Sequence, residues 1–216
     1  MRCFFFFLGF SIITVILFRW IPVRYTPLMF QRYVENISDN YYFNIREWKS
    51  IDKISENMIL AVLASEDGNF TEHCGFDWDA IRKAMEHNRR SGNKRYGAST
   101  ISQQTAKNVY LLPARTWMRK GFEAYFTVLI ELFWSKRRIM EVYLNIIEVG
   151  DGLYGVEAAA KTYFNKSADR LTAYEAAQIA SILPGPRIYN LSNPSPKLRE
   201  RQIKIRKLMR QQTWNR

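Results

Sequence analysis

Residues 3–18, CFFFFLGFSIITVILF, carry no charge, and they restrict the fold more than any other stretch of the chain. A run this apolar has to be covered by protein or by lipid. A spanning helix wants about 20 apolar residues, so the run is somewhat short. Trp20 to Val23 extend it past Arg19, which can snorkel to headgroups, and Trp20 and Tyr25 suit an interface. Residues 19–30 offer no small-x-small cleavage site, so an uncleaved anchor is expected rather than a removed signal peptide. The flanking charge opposes the simplest orientation. Only the amino terminus and Arg2 are basic before the run, whereas Arg19, Arg24 and Arg32 follow it.

The whole chain of 216 residues has room for one domain and an appendage. Its net charge of +12 implies an anionic partner: nucleic acid, acidic headgroups or a phosphorylated substrate. The two cysteines, Cys3 and Cys74, are not expected to pair. Residues 26–50 mix aromatic and polar groups without a period and read as an extended linker that ends at Trp48. Beyond it, apolar spacing of about 3.6 predicts helices over 55–66, from Asp77 to Arg90, and over 116–134, 135–147, 172–182 and 195–210. Thr172 and Glu175 form a capping box. Strand patterns are scarce, so the globular part should be mainly α.

Two stretches carry chemistry. AVLASEDGNFTEHCGF, residues 61–76, begins as an amphipathic helix and breaks at Gly68 and Asn69. Glu66 and Asp67 therefore end a helix, where the macrodipole disfavours negative charge and nudges an acid's pKa upward. Taken alone, two such acids are more often solvated turn residues. GASTISQQTAKN, residues 97–108, starts a helix capped by Ser99 or Thr100. Helical spacing stacks Ser99, Gln103 and Lys107, with Gln104 and Asn108 beside them. So polar a helix either is a solvated face or binds sugar hydroxyls and phosphate oxygens. The basic loop 89–96 has the same two readings. Residues 109–118, VYLLPARTWM, gather apolar bulk around a break, as core or as a flap touching lipid.

Read together, these strings resemble a known family. Glu66-Asp67-x-x-Phe70-x-x-His73-x-Gly75 and Gly97-x-Ser99-Thr100-Ile101-x-Gln103-Gln104 with Lys107-Asn108 look like the first two motifs of the peptidoglycan glycosyltransferases. Arg119-Lys120-Gly121-Phe122-Glu123 resembles the third, and Lys136 to Asn145 followed by Gly150 the fourth. Ser102 stands where threonine is common. GDGLYGVEAAAKTYF, residues 150–164, is closer to the monofunctional members.

The resemblance implies a lysozyme-like, bilobal helical domain over 51–216, behind an anchor at 1–25 and a linker at 26–50. It also implies glycan polymerisation from lipid II at the bacterial inner membrane, single-pass, with the catalytic domain on the periplasmic side. Glu66 would be the general base and Glu123 the second essential glutamate. Lys107, Arg115, Arg119 and Lys120 would surround pyrophosphate. Ser99, Gln103, Gln104 and Asn108 would orient sugar or phosphate oxygens, with Asp67, Phe70, His73 and Gly75 in support. Expected partners are lipid II, the nascent glycan strand, membrane lipids and other wall-building proteins, with no nucleic acid. No cofactor is required; a divalent cation could accompany the pyrophosphate, although metal-ligand spacing is lacking.

Two rivals stand beside this reading. Lysozyme-like cleavage of the same glycan needs a protonated acid but not the cation set at 107–120. A membrane-tethered basic binding module would explain the charge but not the paired glutamines and glutamates. Ser50-x-x-Lys53, Ser91-x-x-Lys94 and Ser38-Asp39-Asn40 match transpeptidase motifs only by chance, being out of order and without Lys-Thr-Gly.

Overall fold

A computed structural model describes residues 2–35, 47–90, 97–114 and 116–214. Among them are ten α-helices and one short antiparallel ribbon, so the chain is mainly helical. The helices are α1 (Arg2–Phe18), α2 (Pro27–Glu35), α3 (Glu56–Glu66), α4 (Trp78–Arg90) and α5 (Ile101–Tyr110). They continue with α6 (Trp117–Phe133), α7 (Lys136–Ile146), α8 (Val156–Phe164), α9 (Ala173–Ile182) and α10 (Pro196–Met209). The ribbon pairs β1 (Glu148–Gly150) with β2 (Leu153–Tyr154), Glu148 opposite Tyr154.

Two packed groups make the body: α5 lies against α6 and α7, and α3 is flanked by α9 and α10. Met58, Ile59, Ala61, Val62 and Leu63 of α3 are buried, as are Ile139, Met140, Val142, Tyr143, Leu144 and Ile146 of α7. Burial of each large apolar side chain contributes about 1.5–3 kcal/mol. Caps start the helices where the sequence has hydroxyls: Thr116, Ser135 and Ser195 each accept from a backbone N–H in the first turn, and Thr172 with Glu175 closes a capping box.

The linker departs from the extended reading. Residues 27–35 are helical, with Thr26 Oγ1 accepting from Met29 N at 3.3 Å, Pro27 opening the first turn and Met29 buried. Residues 36–46 lie outside the described residues. The chain is then pinned to α7: Asn145 exchanges hydrogen bonds with the backbone of Lys49 at 2.9 and 2.8 Å, and Glu141 Oε2 accepts from Ile51 N at 2.9 Å.

One face of α1 packs on the body. Tyr125 and Ser11 share a 2.6 Å hydrogen bond, Trp134 Nε1 donates to Val15 O at 2.7 Å, and Val15 is fully buried. Arg138 of α7 donates to Phe18 O at 2.9 Å and Ile21 O at 2.6 Å, closing off the C-terminal end of α1. The other face exposes Phe6, Phe10, Ile13 and Leu17. No helix among the described residues is long and apolar enough to cross a membrane. Cys74 is a free, exposed thiol, while the Cys3 side chain lies outside the described residues.

Candidate active site

The loop after α3 is built to hold Glu66 still. Asp67 ends the helix and turns its carboxylate onto the first turn of α5, accepting from Ile101 N at 2.9 Å. That is a favourable place for an anion, because the N-terminal N–H groups of a helix have no intrahelical partners. His73 Nε2 lies 3.0 and 3.2 Å from the two Asp67 oxygens. Gly75 adopts φ +87, and a Cβ there would meet Thr127 Cγ2 at 2.8 Å and Glu131 Cγ at 3.0 Å. Its carbonyl accepts from Thr100 Oγ1 at 2.7 Å. Phe70 is fully buried, 4.5 Å beneath the Lys136 ammonium and stacked on Trp214. The four supporting residues thus fasten the loop to α5, α6, α7 and the C-terminal segment.

Thr100 is the N-cap of α5, with Gln103 as its capping-box partner: Gln103 Oε1 accepts from Thr100 N at 3.0 Å. Gln103 is thus engaged in the cap: its side-chain oxygen closes the helix and the residue is buried. Ser99 lies just before the cap and is exposed. Gln104, in contrast, faces Glu66: its Nε2 donates to Glu66 Oε2 at 3.2 Å, while its Oε1 accepts from the Tyr143 hydroxyl at 3.2 Å. That contact fixes the amide orientation through α7. Burial pushes the Glu66 carboxyl up from its ordinary pKa, outweighing the hydrogen bond from Gln104 and the attraction of Arg201.

One turn beyond Gln104, Lys107 carries an ammonium pushed down by burial and held up by Glu123 and, more weakly, Glu66. Glu123 is buried on α6 and paired with Arg119 Nη1 at 2.6 Å and with the Lys120 ammonium in a still closer contact. Lys107 is thus under the attraction of both glutamates, Glu123 the more strongly. Lys107, Asn108 and Arg119 also line an open cavity of about 550 Å³, together with Leu28 and Arg32 of α2 and with Leu111, Pro113, Ala114 and Glu148. Neither glutamate lines that cavity; Lys107 and Arg119 connect it to them. Arg115 lies outside the described residues.

The sequence reading gave no role to Tyr143, to Arg201 or to α2. Tyr143 sat inside the fourth motif, a visible signal. Arg201 sat on a basic helix that reads as solvated, and nothing in its local pattern marks it. Among the described residues there is no group of three or more His, Cys, Asp or Glu able to hold a metal ion.

A walled cavity, a cluster of cations and two buried glutamates can bind an anionic substrate and move a proton beside it. The transglycosylase family profile matches residues 32–210. A protein of Bacteroides thetaiotaomicron named biosynthetic peptidoglycan transglycosylase is 52% identical over 205 residues, 94% of this chain and 82% of its own length. Proteins of the same name in Bdellovibrio bacteriovorus and Haemophilus influenzae are 51% and 46% identical over 192 and 207 residues, 88% and 95% of this chain and 76% and 83% of theirs. The matched span covers both glutamates and all the cations between them, and the chain belongs to the transglycosylase family.

Proposed function

We propose that the chain lengthens the glycan strands of peptidoglycan from lipid II. The observation that carries this reading is the polar cluster drawn from α3, α5 and α6: a Glu66 held by Gln104, Lys107 one turn further along α5 and under the attraction of both glutamates, and a buried Glu123 paired with Arg119 and Lys120. The acceptor's sugar 4-hydroxyl attacks the anomeric carbon of the lipid-linked donor. A new C–O bond forms as the bond to the donor diphosphate breaks, inverting the carbon. The hydroxyl proton passes to the Glu66 carboxylate, and the electron pair leaves with undecaprenyl pyrophosphate.

Each residue has a reason within that step. Burial raises the Glu66 pKa, which brings it closer to the operating range of a base. Lys107, Arg119, Lys120 and Arg115 stabilise the charge growing on the diphosphate; fixed cations in a partly buried site act strongly because they need not reorganise. Glu123 holds Arg119 and Lys120 in place for that task. Gln104, Asn108 and Ser99 meet sugar or phosphate oxygens, since misplacement of the reacting atoms costs rate. A cavity walled by Lys107, Arg119 and Arg32 does not suit a resident metal. A divalent ion would arrive on the diphosphate's own oxygens.

The protein works at the bacterial envelope. Residues 1–25, of which α1 with its bare face is the helical part, serve as the single-pass anchor in the inner membrane, α1 alone being too short to cross it, with the catalytic domain at residues 51–216 on the periplasmic side and the linker at 26–50 between them. Other wall-building proteins would meet it there.

The test is polymerisation of purified lipid II by the full-length protein, Glu66→Gln and Glu123→Gln. Both variants should fold and make no polymer, and polymer from Glu66→Gln at the wild-type rate would contradict the reading. Shortening of existing glycan in place of lengthening would instead favour cleavage.

A further inference from the structure

Arg201 lies on α10, far along the chain from Glu66, yet its Nη2 is 3.5 Å from Glu66 Oε1. The contact joins the last helix to the end of α3, two elements packed side by side. The direct hydrogen-bond donors to Glu66 are neutral: Gln104 Nε2 at 3.2 Å and Ser65 Oγ at 3.3 Å. The other charged or titratable groups bearing on Glu66 are Asp67, Lys107 and Tyr143. Asp67 is engaged by Ile101 N and His73, Lys107 faces Glu123 more strongly than Glu66, and the Tyr143 hydroxyl donates to Gln104.

Among the described residues, Arg201 is thus the cation placed against the Glu66 carboxylate itself. Its Nε is buried without a hydrogen-bond partner. Its outer side forms a wall of an open cavity of about 270 Å³, with Tyr189, Lys197, Glu200 and Lys204. Arg201 thus both reaches Glu66 and lines a hollow open to solvent.

We propose that Arg201 is a positioning residue, fixing the Glu66 carboxylate and holding it as an anion in its buried setting, so that the C-terminal helix completes the active site. The inference rests on the reading of Glu66 as the base. At 3.5 Å the contact is at the limit of a hydrogen bond, so it acts chiefly through charge. An opposite charge within about 4–6 Å favours the ionised form of an acid, and partial exposure of the guanidinium screens the effect. Removing the cation leaves Glu66 with neutral donors, the weaker attraction of Lys107 and Asp67 as a like charge, at a site where burial already favours the protonated form.

The experiment measures kcat/KM for lipid II polymerisation across pH for wild type, Arg201→Met and Arg201→Lys, with melting temperatures and Glu66→Gln alongside. Arg201→Met should move the acid limb to higher pH by about half to one unit, which is about a three- to tenfold loss on the acid side and little loss on the plateau. Arg201→Lys should keep the limb nearer to wild type. A purely structural role would lower the rate equally at every pH, together with the melting temperature; that result, or an unmoved acid limb, would overturn the proposal. Should Arg201→Met fail to fold, Arg201→Gln carries the same comparison. An active Glu66→Gln overturns the assignment of the base, whereas an inactive Glu66→Gln with an unmoved limb in Arg201→Met overturns the role of Arg201 alone.

Discussion

Glu66 is placed where a carboxylate destabilises its own fold. Burial raises its pKa, so between the unfolded and folded values the native state binds more protons than the unfolded state. Stability contributed by the protonated form is present below the unfolded pKa and is lost as pH rises through the folded one. Glu66→Gln keeps an acceptor for the Gln104 amide and removes the buried charge. It should raise the melting temperature by a few degrees at neutral pH, with the gain vanishing in acid, as differential scanning calorimetry across pH would record. A base that costs stability while its neutral isostere does not is the signature of a functional group. Gly75 gives the opposite case, a residue fixed by geometry. Its φ of +87 and the 2.8 Å approach a Cβ would make to Thr127 predict that Gly75→Ala costs about 1–3 kcal/mol, read from urea denaturation. Lys107 belongs with Glu66: on the proposed function, Lys107→Met should cut the polymerisation rate by about a hundredfold or more while the fold survives, since a half-buried ammonium placed against the leaving diphosphate would act in the transition state.

At the level of the helix, α5 shows which polar residues are taken up by its cap and which are turned toward the glutamates. Period alone set Ser99, Gln103 and Lys107 on one stripe. The helix begins at Thr100, however, and its third residue is drawn into the cap, leaving Gln104 and Lys107 to face the glutamates. Asp67 supports the same helix from outside, so Asp67→Asn, which keeps the shape and loses the charge at the α5 N-terminus, should cost about 1 kcal/mol in denaturant titration. Helices with strong period and hydroxyl caps, such as α9 with Thr172 and Glu175, were legible in the sequence. The α2 helix was not, because its nine residues are a short run within a stretch, 26–50, that shows no clear period as a whole, although Thr26-Pro27 is a start signal that could have been read. Arg201 was illegible for a different reason. Its partner is reached only through the packing of α10 on α3, and no local pattern encodes that distance.

Across the whole molecule, the N-terminal helix and the site share one framework. The α1 helix leans on Tyr125 and Trp134, its C-terminal end is held by Arg138, and the same α6 and α7 present Glu123 and Tyr143 to the site. At 17 residues α1 is roughly 25 Å long, a little under the roughly 30 Å of a bilayer's hydrocarbon core. Its bare face, with Phe6, Phe10, Ile13 and Leu17 pointing outward, should therefore seat the protein on lipid. Changing those four residues to Ser should release the full-length protein from anionic vesicles in co-sedimentation, while wild type remains bound. The net charge of +12 should make the residual binding of the variant fall with added salt.

The account turns on proton removal at Glu66 beside a cation-held diphosphate. The most direct measurement is the single-turnover rate of glycan bond formation from purified lipid II by Glu66→Gln, with its fold verified by melting. A drop of about a hundredfold or more is predicted, with substrate still bound through Lys107, Arg119 and Lys120. A rate equal to that of wild type would contradict the account.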